Sequence, residues 1–413
     1  MESGRVKSAP KRCDPPKGTV DHTGRITGIP PPVGPFRYHP TRATVGVAVM
    51  MARSPLLRVL QVTPRFAPSI GGVETHVLEV CRRLPGEGIE VAVLTADETG
   101  SLSAHEVLDG IAVHRARAFP RDRDWMLAPA LAGMIRSGGW DIVHVQSYHT
   151  LVAPTAMAAA ARAGIPYILT FHGGGSSSGL RRSVRVGQLR ALGPLLRRAR
   201  ALVAIADFEI RKYGPLIGVA SSRWVKIPNG ADLPPGVTEI PSHGRLIMSV
   251  GRLEAYKGHR RVIAALPRVI ESEPDAHLWI AGSGPDEPIL RRLAAKLGVA
   301  DRVEIGGADR TTMAGRLKGA DAMVLLSDFE THPLAVLEAA SLGIPAVVAD
   351  NSGMAELAKQ GFAQAVSLGD PPEAHAEAIL CAMNDASPGP VGEIPTWDGC
   401  ARELAALYQA VAR

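Results

Sequence analysis

Residues 327–345 read Ser-Asp-Phe-Glu-Thr-His-Pro-Leu-Ala-Val-Leu-Glu-Ala-Ala-Ser-Leu-Gly-Ile-Pro. An apolar run at 323–326 leads into them and another, 346–349, follows. Pro333 suits the first turn of a helix, where its missing N–H leaves no hydrogen bond unmade. The N–H groups just beyond it, from Leu334 on, then point at whatever lies off the strand end and complement a phosphate. Glu330 falls on the loop and Glu338 inside the helix, among the apolar Val336, Leu337, Ala339 and Ala340, a poor setting for an ordinary surface glutamate. Strand, loop, helix and strand in this order form a unit of parallel sheet, and ligands of such sheets bind off the carboxyl ends of the strands. Carboxylates accept from vicinal hydroxyls, so Glu330 and Glu338 are candidates to hold a sugar at one end and a ribose at the other.

The same alternation runs outward on both sides. Strands are expected at 246–250, 278–281, 303–305, 323–326, 346–349 and 363–366, with a helix at 372–384. An earlier series is expected at 58–63, 90–95, 111–116, 142–146, 167–171 and 202–205. Between the two series, 229–243 is loop text with Pro234, Pro235, Gly236 and Pro241. A chain of 413 residues also exceeds one ordinary core. The expected architecture is therefore α/β, with two Rossmann-like domains whose parallel sheets face each other across a cleft. The first spans 55–238 and the second 239–388, while 389–413 contributes a C-terminal helix that packs back on the first domain. Leu404, Leu407, Tyr408 and Val411 line one face of that helix. Residues 1–54, rich in proline, glycine and basic residues, read as a disordered leader, with Met50 and Met51 as an alternative start of translation.

Three further loops sit at expected strand ends. Gly251-Arg252-Leu253 closes the first strand of the second series and Lys257-Gly258 opens the next helix. An arginine and a lysine there can clamp a diphosphate, one by a bidentate fork and the other as a point charge. Ala281-Gly282-Ser283-Gly284-Pro285 would form a neighbouring wall. In the first domain, Gly71-Gly72 precedes a helix from about Val73, which fits close ligand approach or plain helix–sheet packing equally well. Thr170-Phe171-His172-Gly173-Gly174-Gly175 puts a histidine at a strand end, expected to point into the crevice rather than into a core.

Bulk properties exclude several classes. No window is long and apolar enough for a membrane helix; the best, 151–163, holds Pro154 and Arg162. Cys13, Cys81, Cys381 and Cys400 show no metal or disulfide spacing, which suits a reducing cytoplasm. The net charge of +6 names no partner, and few aromatics with no reading motif argue against nucleic acid. Arg181, Arg182, Arg185, Arg190, Arg197, Arg198 and Arg200 punctuate a helix with Val184, Leu189, Leu192 and Leu196. That helix could rest on the inner, anionic face of a membrane, meet a phosphorylated acceptor, or simply be solvated. Asp122 and Asp124 have an Asp-x-Asp spacing but lie in a polar loop.

Together these segments resemble the family 4 glycosyltransferases of the GT-B fold. The resemblance covers 58–413 and rests on Glu330 and Glu338 with seven residues between them, Gly251-Arg252 with Lys257-Gly258, and the Ile227-Pro228-Asn229-Gly230 turn. Gly71-Gly72, Phe171-His172-Gly173 and the tail Trp397 with Leu407-Tyr408 agree. The resemblance implies that Arg252 and Lys257 bind the donor diphosphate with the helix start at Pro333 and Leu334. It implies that Glu338 holds the ribose, that Glu330 and His172 act on the transferred sugar, and that Gly72 closes from the opposite domain. Where the family commonly has Phe-Gly after the first glutamate this chain has Thr331-His332, which bears on the sugar pocket. The implied activity is retaining transfer of a hexosyl group from a UDP- or GDP-sugar, the nucleotide sugar being co-substrate. No cofactor or metal is required. The acceptor would be a hydroxyl on a small molecule, a glycan or a lipid-linked group, in cell-envelope or natural-product glycoside synthesis. A non-catalytic nucleotide-sugar-binding scaffold and a sugar-nucleotide epimerase are the rival readings.

Overall fold

The computed structural model describes residues 56–69, 71–120, 126–173, 179–384 and 393–413. The expected leader, Gly174-Gly175 and Asp122 with Asp124 lie outside the described residues, as do the side chains of Arg181, Arg182 and Val184.

Strands buried on both faces need near-continuous apolar text. The segment LRVLQVT supplies it as β1 (Leu57–Thr63), the last five residues of which are buried. It sits centrally in an eight-stranded sheet with β2 (Ile89–Asp97), β3 (His105–Leu108), β4 (Ile111–Arg117), β5 (Ile142–Gln146), β6 (Tyr167–Thr170), β7 (Ala201–Ala204) and β8 (Trp224–Lys226), in the order β3-β4-β2-β1-β5-β6-β7-β8. The second sheet contains β9 (Arg245–Val250), β10 (Ala276–Ala281), β11 (Val303–Gly306), β12 (Ala322–Leu325), β13 (Ala346–Ala349) and β14 (Gln364–Val366), in the order β11-β10-β9-β12-β13-β14. All its ladders are parallel, and in the first sheet only β3 runs antiparallel, against β4. Two parallel-sheet α/β domains are thus present, as expected. The sequence reading missed β3 and β8: β3 is a mostly exposed edge strand without apolar alternation, and β8 has three residues.

Strand order reverses at β1/β5 in the first sheet and at β9/β12 in the second, which are the switch points where a crevice opens. Helices cover both faces of each sheet. One face of the first sheet packs Leu60, Val62, Val143 and Val145 against the helix Val152–Arg162. The other packs Val59, Ile142 and Ile168 against Trp397, Cys400, Leu404 and Tyr408 of the C-terminal helix Trp397–Ala412. That helix begins at Thr396, whose hydroxyl accepts from the Gly399 amide. In the arginine-bearing helix Gly179–Arg198, Leu189, Leu192 and Leu196 are buried while Arg190, Arg197 and Arg198 are exposed. No helix among the described residues is long and apolar enough to cross a membrane.

Candidate functional site

The loops that leave the strands at their carboxyl ends meet between the two sheets. Gly173, just past β6, accepts through its carbonyl from the Thr331 hydroxyl, which lies past β12. Asp207 and Phe208 start the helix after β7, and their amides donate to Glu356 of the helix after β13, at 3.0 and 2.9 Å. Lys212 stands 3.8 Å above the Phe329 ring, and Phe208 meets Phe329 edge-on. Carboxyl ends therefore face carboxyl ends across one crevice, with β1 and β9 leading into it.

On the second-domain side, Lys257 forms a short 3₁₀ turn at Ala255–Lys257 rather than the first helical residue, and Gly258 caps the helix His259–Ser272. Gly258 adopts φ +72°, and a Cβ there would run into the Leu326 carbonyl, so the turn demands glycine. Lys257 Nζ donates to Glu330 Oε1 at 2.6 Å, and the Ser327 hydroxyl donates to the same oxygen at 3.1 Å. Burial works against the Lys257 ammonium, but Glu330 more than offsets it and holds the pKa above the ordinary lysine value. Arg252 is the more open of the two expected diphosphate cations, its side chain 65 % exposed, with Glu254 and the Tyr256 hydroxyl as partners.

The stretch 327–345 corrects one detail of the expectation. Pro333 is not inside the first turn but caps it, with ψ 112°, and the helix is Leu334–Ser341. The proline's fixed φ suits both positions, so residue type alone could not separate them. Glu338 lies inside this helix, its side chain only 7 % exposed. Arg310 Nη1 lies 2.9 Å from Glu338 Oε1 and is its ion-pair partner. Burial raises the Glu338 pKa, and Arg310 offsets this only in part. One arginine does not fill the acceptor capacity of a carboxylate, which leaves sites for further hydroxyl or amide donors.

On the first-domain side, Gly71 precedes the helix Gly72–Arg83 and is not capped by a side chain. Nothing would crowd a Cβ at Gly72, so the space in front of it is open. His172 departs from expectation. Its ring does not stand free in the crevice: the residue is 6 % exposed, with φ +45°, and Nε2 lies 2.7 Å from Gln146 Oε1. Burial first, then the neighbouring His76, His144 and His149, keep it neutral well below the ordinary histidine range. The Gly173 amide donates to the buried Glu209 at 2.5 Å. The turn is thus held through its ring, its amide and its carbonyl.

Structure therefore brings Glu330, Lys257, Thr331 and the His172-Gly173 turn to one crevice, with Glu338 beside Arg310. Sequence reading missed Arg310, Glu209, Glu356 and Gln146. Only Gln146, at the end of a recognised strand, carried a positional signal. Thr331-His332 also divides in role: Thr331 bridges the two domains, whereas His332 turns inward, its Nδ1 buried without a hydrogen bond and its pKa pushed down to about 4, first by burial and then by Lys226.

Residues 70–234 match the family described as Glycosyltransferase Family 4, and 235–389 match Glycosyl transferases group 1. A glycogen synthase of Mycobacterium tuberculosis is 31 % identical over 337 residues, covering 74 % of this chain and 81 % of that protein. A phosphatidyl-myo-inositol mannosyltransferase of Mycolicibacterium smegmatis is 29 % identical, covering 80 % of this chain and 85 % of the relative. Among solved structures, a sucrose-phosphate synthase of Thermosynechococcus elongatus superposes with TM-score 0.65 at 17 % identity, covering 86 % of this chain and 96 % of its own. Anabaena HepE, solved with UDP-glucose, gives 0.62 at 18 %, covering 86 % and 97 %.

Proposed function

The chain belongs to the family 4 glycosyltransferases, with the GT-B fold, and we propose that it is a retaining enzyme moving a hexosyl group from a UDP- or GDP-sugar to a hydroxyl acceptor. Glu338 carries the reading: a nearly buried carboxylate inside the helix after β12, held by a single arginine, keeps acceptor sites to spare for ribose hydroxyls. In this reading Arg252, Lys257 and the amides after Pro333 neutralise the departing diphosphate, which makes a resident metal unnecessary. Glu330 orients the sugar hydroxyls, the His172-Gly173 turn faces the same sugar, and the open space before Gly72 admits the diphosphate and the acceptor. The acceptor oxygen bonds to the anomeric carbon as the bond to phosphate breaks, and its proton passes to the departing phosphate oxygen on the same face. Thr331, tied to Gly173, sets the wall of the sugar pocket.

Names of the relatives add to the acceptor side. They include transferases to phosphatidyl-myo-inositol, to D-inositol 3-phosphate and to a diphosphopolyprenol-linked sugar. Cell-envelope glycan or glycolipid synthesis is the setting these names favour, with natural-product glycosides the other.

The test is a binding and turnover screen of purified protein against UDP- and GDP-sugars, with Glu338→Ala and Lys257→Ala alongside. Saturable binding of one donor, weakened at least about tenfold in both variants, is expected, since a charge-assisted bond is worth about 1.5–3 kcal/mol. Equal binding by the variants overturns the site. Conversion of donor to free epimerised sugar without an acceptor points to the epimerase chemistry instead. Full activity in EDTA is expected, and loss of it overturns the metal-free reading.

A further inference from the structure

A chain of buried polar side chains runs from the C-terminal helix to the His172 turn. His172 Nε2 lies 2.7 Å from Gln146 Oε1, and the Gln146 amide donates to Gln61 Oε1 at 2.7 Å. The Gln61 amide donates to the Tyr408 hydroxyl at 2.8 Å. Tyr408 in turn lies 2.7 Å from His144 Nδ1, and His144 Nε2 lies 2.7 Å from the Thr170 hydroxyl. Every member is almost wholly buried, so no water competes for these bonds.

The direction of the chain is carried by the orientation of the two glutamine amides, since the Tyr408 and Thr170 hydroxyls can each donate or accept. With Gln61 donating to it, the Tyr408 hydroxyl keeps its proton for His144 Nδ1, and His144 Nε2 pairs with the Thr170 hydroxyl. At the other end the Gln146 amide nitrogen donates to Gln61 and also lies 3.3 Å from both His144 ring nitrogens, which leaves the Gln146 carbonyl as acceptor for His172 Nε2–H. His172 is thereby fixed as the tautomer with the proton on Nε2 and a lone pair on Nδ1. Reversing one member would set donor against donor or leave a buried oxygen unmatched, at a cost of about 1–3 kcal/mol.

We infer that Tyr408 is a positioning residue for sugar transfer: through Gln61 and Gln146 it fixes the tautomer and ring orientation of His172. The inference rests on the reading of the His172 turn as sugar-facing. It gives the C-terminal helix a role beyond covering the first sheet, because the last helix of the chain then governs a group at the crevice. Nothing in this role requires Tyr408 to touch a substrate; it lies behind the sheet while His172 lies at the strand end.

Tyr408→Phe and Gln146→Met test it, with imidazole ¹⁵N chemical shifts and couplings reporting the His172 tautomer, assigned by the signals lost in His172→Asn. Wild type is expected to show the Nε2–H form alone. Tyr408→Phe is expected to mix the two tautomers and lower kcat by about tenfold to a hundredfold, as small misplacements of reacting groups do. Affinity for the nucleoside diphosphate should stay within about twofold, a split that general loss of packing would not give. An unchanged His172 signal in both variants overturns the inference, and so does a changed signal with unchanged kcat. A wild type that transfers no sugar counts against the site reading alone, and the tautomer measurement then decides whether the relay exists.

Discussion

Lys257 Nζ and Glu330 Oε1 are 2.6 Å apart, each side chain about 15 % exposed, so the cation proposed for a phosphate and the carboxylate proposed for a sugar are already each other's partners. A preformed pair of this kind needs no reorganisation when a diphosphate arrives. It also means that either variant leaves a largely buried charge. Lys257→Met is expected to lower stability toward the lower end of about 3–5 kcal/mol, with the double variant Lys257→Met/Glu330→Leu recovering much of it. Urea unfolding of Lys257→Met, Glu330→Leu and the double variant checks this, and additive losses would contradict the pairing.

Glu338 gives a more selective prediction. If its oxygen takes the ribose hydroxyls, wild type should prefer UDP or GDP over the 2′-deoxy nucleotide by about tenfold or more, the worth of one hydrogen bond to a charge. Glu338→Gln should erase most of that preference. Calorimetric titration with the ribo and deoxy forms decides, and equal preference in wild type and variant would place the ribose elsewhere.

Glu356 reaches from the second domain to a helix of the first. The helix Asp207–Ile217 has no side-chain cap at Ala206, and the Glu356 carboxylate takes its first two amides instead. Loss of such a cap costs about 1–2 kcal/mol. Glu356→Ala is expected to lose that amount and to raise the radius of gyration in solution scattering, since the bond crosses between domains. An unchanged radius with lowered stability would leave Glu356 a cap and no latch.

Acid should destabilise the fold. Burial pushes His76, His259 and His332 down to about 4, and His144 and His172 also lie well below the ordinary value of 6.5. Unfolded chains take up these protons near pH 6.5, whereas in the native state His76, His259 and His332 resist until about pH 4 and His144 and His172 also resist well below 6.5. Stability contributed by the neutral histidines is therefore whole above about pH 6.5 and is lost as pH falls, at up to about 1.4 kcal/mol per pH unit for each. Glu209 acts oppositely: burial raises its pKa to about 7, so the native state gains a proton first and offsets roughly one histidine. The unfolding free energy should fall between pH 6.5 and 4.5, and His332→Gln should reduce the slope by about one proton. A flat profile would show that these rings are not buried neutral.

The described strands show why so much was legible. Segments such as 142–146 and 346–349 are apolar throughout because both faces of a parallel sheet are covered, and that signal survives any tertiary detail. Strand–loop–helix order then places the loops at one end of each sheet, which is why Glu330, Lys257 and His172 could be nominated. β3 escaped because an edge strand needs only one paired side, and its residues are exposed.

By itself the sequence determined the two-sheet α/β architecture, the strand ends that carry polar groups, and the family resemblance. Those depend on local periodicity and on which residue types a turn tolerates. Only the tertiary structure decided that Glu330 faces Lys257, that Arg310 pairs with Glu338, that Glu356 caps a helix of the other domain, and that Tyr408 connects to His172. These pairs lie 28 to 236 positions apart, counting from Arg310 to Glu338 and from Tyr408 to His172. Contacts at such separations are set by how two sheets pack and which way buried side chains must turn to satisfy hydrogen bonds, and no local pattern encodes that.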